Sequence, residues 1–115
     1  MISRDHDASV VLVEDPLIRR YVRSVLAHRK RAVVDANAAD AVDLVRSGES
    51  KVCLLITNRP GEFLPFAQDL PVLYVSSKPE QNLATAFRAC RTLSKPFSPD
   101  ALAAAVTDLI GPVVS

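Results

Sequence analysis

The sequence predicts an α/β domain built on one five-stranded, parallel, doubly wound sheet. Short β-rich apolar runs alternate with amphipathic segments, the order expected of βαβ units. The run Val52 to Ile56 is apolar at every position, as a central parallel strand covered on both faces requires. A chain of 115 residues, 49% of them hydrophobic, is long enough for one domain with a substantial core.

Strands are predicted at Ser9 to Val13, Ala32 to Asp35, Val52 to Thr57, Val72 to Val75 and Thr92 to Ser94. The first helix follows Pro16, a residue suited to a first helical turn, with Leu17, Ile18, Tyr21, Val22, Val25 and Leu26 at helical spacing. The second spans Ala38 to Arg46, with Asn37 as N-cap, an apolar face of Ala38, Ala41, Val42 and Val45, and Gly48 as a stop. A later helix starts near Pro79-Glu80 and buries Leu83, Ala86, Phe87 and Cys90. The last opens on Ser98-Pro99-Asp100 and carries Leu102, Val106, Leu109 and Ile110 until Gly111-Pro112. Between strands three and four, Arg59 to Leu70 holds Pro60, Gly61 and Pro65 and leaves little room for a full crossover helix. One or two turns around Phe63 to Gln68, or an irregular segment, are expected there.

Composition excludes several classes. A net charge of +1 and only two Tyr, four Phe and no Trp argue against nucleic acid as a partner. No apolar run approaches the roughly 18 residues of a membrane span, and the charged N-terminus lacks a signal-peptide core, so a cytoplasmic, non-membrane protein is expected. Cys53 lies in an apolar run and Cys90 on a predicted apolar stripe; both read as reduced core residues. His6 and His28 have no acid or Cys at ligand spacing. No glycine-rich phosphate loop or G-x-S-x-G elbow is present, so no enzyme is expected. Arg19, Arg20, Arg23, His28, Arg29, Lys30 and Arg31 make the first-helix end basic, which reads first as a solvated helix face.

Four segments, Val11-Leu12-Val13-Glu14-Asp15-Pro16, Leu54-Leu55-Ile56-Thr57-Asn58-Arg59-Pro60-Gly61, Pro71-Val72-Leu73-Tyr74-Val75-Ser76-Ser77 and Ser94-Lys95-Pro96-Phe97, give the chain a resemblance to the receiver domain of two-component response regulators. The resemblance covers about Val10 to Ile110 and implies a flavodoxin-like (βα)5 fold. It sets residues 1–8 apart as a short flexible N-terminus, 9–111 as the receiver-like domain and 112–115 as a tail.

Receivers take a phosphoryl group onto an aspartate at the end of strand three, in the crevice at the carboxyl edge of the sheet, with Mg²⁺ held by neighbouring carboxylates. Here the acceptor position maps to Asn58, whose amide has neither the charge nor the nucleophilicity to form an acyl phosphate. The acidic pair maps onto Glu14 and Asp15, one residue short of the usual pattern. Either Glu14 fills the second acidic position and Val13 replaces the first, or the loop is shortened and both acids survive. Mg²⁺ binding is therefore expected to be weak or absent, with Glu14 and Asp15 the residual candidates, and no cofactor is expected.

Ser76 and Lys95 match the Ser/Thr and Lys that receivers direct at the phosphoryl group. In a collapsed, metal-free pocket Lys95 would neutralise Glu14 or Asp15, and Ser76 and Asn58 would hydrogen-bond one another. Lys95-Pro96 is a candidate cis bond. The switch aromatic of the family maps to Thr92, which cannot swing a ring.

The resemblance implies a protein partner, whether kinase, phosphotransfer protein or output protein. It also implies a contact face over about Pro79 to Ile110 and a homodimer through the last two helices and strand five. The alternatives are a phosphorylatable regulator using Asp35 or Asp69, and a small-ligand sensor using the vacated pocket beside Lys95.

Overall fold

The computed structural model describes residues 8–47 and 51–111. In chain order it contains β1 (Ala8–Val13), α1 (Pro16–His28), β2 (Val33–Asp35), α2 (Ala38–Ser47), β3 (Lys51–Thr57), a 3-10 segment (Pro60–Phe66), β4 (Val72–Ser76), α3 (Gln81–Ala86), β5 (Cys90–Ser94) and α4 (Pro99–Ile110). The expected N-terminal segment, the C-terminal tail and the stop at Gly48 fall mostly or wholly outside the described residues. All strand pairs are parallel and their order is β2-β1-β3-β4-β5, the flavodoxin-like doubly wound arrangement.

Side chains alternate across a strand, so β3 feeds two separate cores. Leu54 and Ile56 join Val10, Leu12, Leu73 and Val75 beneath α1 and α4, whose Val22, Val25, Leu26, Leu102, Ala105 and Val106 cover them. Leu55 joins Val11, Val13, Val72 and Tyr74 on the other face, under Ala41 of α2, Phe63 of the 3-10 segment, Ala67, Leu70 and Phe87. The β1–β3 register shifts once, where Ser9 pairs with Val52 and Val10 with Leu54; Cys53 is the residue skipped.

The helix ends follow from local chemistry. Asn37 Oδ1 accepts the Asp40 N–H at 2.8 Å and opens α2, and Ser98 Oγ accepts the Ala101 N–H at 3.0 Å and opens α4. Helix α1 closes with Lys30 in the left-handed region (φ 63°), while the Arg31 N–H bonds Leu26 O at 2.8 Å and the Lys30 N–H bonds Ala27 O at 3.0 Å. That is a Schellman closure with lysine where glycine is usual. Gly111 ends α4 at φ 83°, ψ 169°, a conformation that excludes side chains bearing a Cβ.

Three expectations are corrected. Leu17 is not on the buried stripe of α1: it is 76% exposed, since the buried face of the helix begins only at Val22 and continues through Val25 and Leu26. The helix after Pro79 is only Gln81–Ala86, Ala86 is exposed, and no residue of α3 is fully buried. Its chain becomes extended at Phe87 (φ −92°, ψ 138°), so Phe87 enters the core from a loop and Cys90 opens β5 instead of lying on a helix. The segment after β3 is a seven-residue 3-10 run that starts at Pro60, earlier than expected; Pro65 lies inside it, and fully buried Phe63 anchors it. The short, irregular connection itself is as the sequence predicts. Both cysteines are thiols, half-buried on opposite faces of the sheet, and burial pushes each thiol above its ordinary pKa.

Candidate functional site

Parallel register brings the predicted site together. Val13 pairs with Thr57, Thr57 with Tyr74, and Ser76 with Ser94, so Glu14, Asn58, the end of β4 and Lys95 leave the sheet along one carboxyl-terminal edge. The Lys95 N–H donates to Ser76 O at 3.0 Å and ties the start of the β5–α4 loop to β4.

Glu14 is the centre of this edge. Its side chain is fully buried, Lys95 Nζ lies 3.4 Å from both carboxylate oxygens, and Oε1 also accepts the Asp15 N–H at 3.0 Å. Oε2 has no hydrogen-bond partner of good geometry. Burial pushes the Glu14 carboxyl above the ordinary carboxylate pKa, helped by the nearby Asp15 charge; the Asp15 N–H and Lys95 pull it back without cancelling the effect. Asp15 stands exposed at the start of α1 and forms no side-chain cap.

Asn58 follows β3 as a half-buried bend residue. The hydrogen bond expected between Asn58 and Ser76 does not form. The Ser76 hydroxyl instead accepts the Lys78 N–H at 3.1 Å and closes its own two-residue turn, as Thr57 Oγ1 does with the Arg59 N–H at 3.0 Å. Thr92 pairs with Tyr74 and is half-buried in β5. Lys95-Pro96 is cis.

The alternative acceptors lie elsewhere. Asp35 ends the edge strand β2 and is ion-paired with Arg23. Asp69 sits in the turn before β4, at the opposite edge of the sheet. Among the described residues no three His, Cys, Asp or Glu side chains converge. Part of the basic cluster is engaged within the fold: Arg23 with Asp35, Arg29 with Asp100, and Arg31 with the Gly111 carbonyl.

Beside Lys95 lies a groove of about 450 Å³ lined by Ile18, Tyr21, Lys95, Pro96 and Phe97, walls that the sequence did not signal when it placed a pocket next to Lys95. The Tyr21 hydroxyl donates to Phe97 O at 3.1 Å, and the two rings meet edge to face with centroids 5.6 Å apart. Ile18 and Tyr21 stand at core spacing on α1, and nothing in that spacing tells that their outer surfaces meet a loop 76 residues away.

No protein-family model and no curated protein matches the sequence. Solved structures do match the fold. The signal receiver domain of an HD domain-containing protein from Pseudomonas fluorescens Pf-5 superposes with a TM-score of 0.75 at 19% identity, over 96% of this chain and 90% of that one. A response regulator receiver protein from Burkholderia phymatum gives 0.72 at 18% identity, covering 93% and 98%. The chemotaxis protein CheY4 of Vibrio cholerae gives 0.66 at 16%, covering 89% and 97%. The fold is thus that of receiver domains. Among the described residues no helix is long and apolar enough to cross a membrane.

Proposed function

We propose that this chain is a receiver-like module of two-component signalling that acts by protein contact and without phosphorylation of its own. The observation that carries this reading is Asn58 at the end of β3, where a phosphoacceptor would need a carboxylate. The surroundings support it. The remaining buried acid, Glu14, faces Lys95, so the lysine that would meet a phosphoryl group already has a counter-charge. Among the described residues Asp15 is the second carboxylate beside Glu14, and two carboxylates without a third make Mg²⁺ a weak ligand of this edge. Thr92 offers no ring to move. The module is read as a cytoplasmic binding protein with no cofactor and no catalytic role, its partners being other signalling proteins.

The face of α3, β5 and α4 is the contact surface that the resemblance implies. It is polar here, carrying the Arg91–Asp108 ion pair, and the large exposed apolar side chains among the described residues, Leu17, Val34 and Leu64, lie outside it. Contact there rests on charge and shape more than on apolar burial.

The deciding experiment is intact mass spectrometry after incubation with acetyl phosphate and Mg²⁺, on the wild type and on Asn58→Asp in parallel. The wild type stays unmodified. A phosphoryl adduct on the wild type would overturn the reading and redirect the search to Asp35. An adduct on the variant alone means that Glu14, Ser76 and Lys95 still form working machinery which the amide switched off.

A further inference from the structure

The groove between α1 and the β5–α4 loop has a composition that the proposed function does not use. Its walls are Ile18, Tyr21, Pro96 and Phe97, and its one charged lining residue is Lys95. A volume of about 450 Å³ is that of a small-molecule site. Leu17 beside it is a single exposed apolar side chain, which is ordinary on a surface.

Lys95 is incompletely used. An ammonium has three donors and forms charge-assisted bonds at about 2.8 Å. Among the described residues Lys95 Nζ makes one side-chain contact, to Glu14, and at 3.4 Å that contact is long. Its side chain keeps 22% exposure and lines the groove. The Tyr21 hydroxyl is committed to Phe97 O, which leaves Lys95 as the charged residue of the groove lining.

We propose that this groove binds a small organic carboxylate with an apolar body, the body lying against Ile18, Tyr21, Pro96 and Phe97 and the carboxylate meeting Lys95. A lysine in the lining of an otherwise apolar trough selects this class over a neutral hydrophobe, which would offer the ammonium no counter-charge. It also selects against inorganic phosphate, which would gain nothing from the trough. Glu14 reaches Lys95 as well and competes with the ligand for it. Removing the Glu14 charge therefore strengthens binding, and removing the Lys95 charge abolishes the preference for an acid.

The test is a titration of the full chain, followed by backbone amide shifts, with 2-naphthoate and with 2-naphthamide as its neutral counterpart. The acid perturbs the amides of Ile18, Tyr21, Lys95 and Phe97 and binds about ten-fold tighter than the amide. Glu14→Gln tightens the acid further, Lys95→Gln makes acid and amide equal, and Ile18→Trp, which fills the trough, weakens both. Equal binding of the two probes to the wild type overturns the proposal, as do shifts confined to other residues or no shift at millimolar naphthoate. The wild-type comparison needs no substitution, so it decides even if a variant fails to fold. The result is also independent of whether Asn58 accepts a phosphoryl group.

Discussion

At the scale of single residues the candidate site turns on one buried carboxylate and one amide. Because burial raises the Glu14 pKa in the folded protein above its unfolded value, folding favours the protonated carboxyl. Its contribution to stability is therefore full below the unfolded pKa, near the ordinary value of 4.5, and is lost as pH rises through the folded pKa. Urea unfolding midpoints measured from pH 4 to 7 should show the wild type losing stability relative to Glu14→Gln as pH rises. A constant gap between the two would show that Glu14 is not strained by its burial. The positions of Asn58, Glu14 and Lys95 along one edge of the sheet were open to sequence reading because each stands next to a strand end, where register fixes position. The expected Ser76–Asn58 bond does not form for a local reason. A hydroxyl at a strand end finds the N–H two residues on before it finds a neighbouring strand.

At the scale of elements, caps predict best and helix length worst. Ser98 and Asn37 both occupy the N-cap positions their spacing implies, and replacing Ser98 with Ala should cost about 1 kcal/mol in chemical denaturation. Lys30 holds a left-handed conformation that glycine adopts without strain, so Lys30→Gly should stabilise the protein by roughly 1 kcal/mol. Gly111→Ala should destabilise it by about 1–3 kcal/mol from backbone strain alone, since a Cβ there would meet nothing within 4 Å. Helix α3 shows why length escapes the sequence. Leu83, Phe87 and Cys90 are spaced three and four apart, and all three contribute to one core, yet only Leu83 does so from a helix. An apolar triad at i, i+4, i+7 fits a helix as well as it fits a short helix, a loop and the start of a strand. The connection after β3 was legible because Pro60, Gly61 and Pro65 exclude a long helix on covalent grounds.

At the scale of the molecule, the alternation of strands and helices is legible in the sequence, whereas the strand order was implied only by the resemblance and is given by the structure; what the sequence could not carry is which surface meets a partner. The polar α3–β5–α4 face and the scattered exposed apolar side chains weigh against the homodimer expected through that face and predict a monomer that meets other proteins there. Sedimentation velocity at tens of micromolar should give one species near 12.5 kDa. A dimer that dissociates with salt would instead assign the Arg91–Asp108 pair to an intermolecular role. The skipped residue in β3 has a consequence of a different kind. A strand apolar on both faces does not resist sliding by polarity, so its alignment rests on its ends and on the bulge at Cys53. Deleting Cys53 would let Val52 and Lys51 close up against β1 while Leu54, Leu55 and Ile56 keep their faces. Deleting Leu55 would exchange the two cores for the residues on one side of the cut. In a library of single-codon deletions across Lys51–Thr57, position 53 should be the tolerated one.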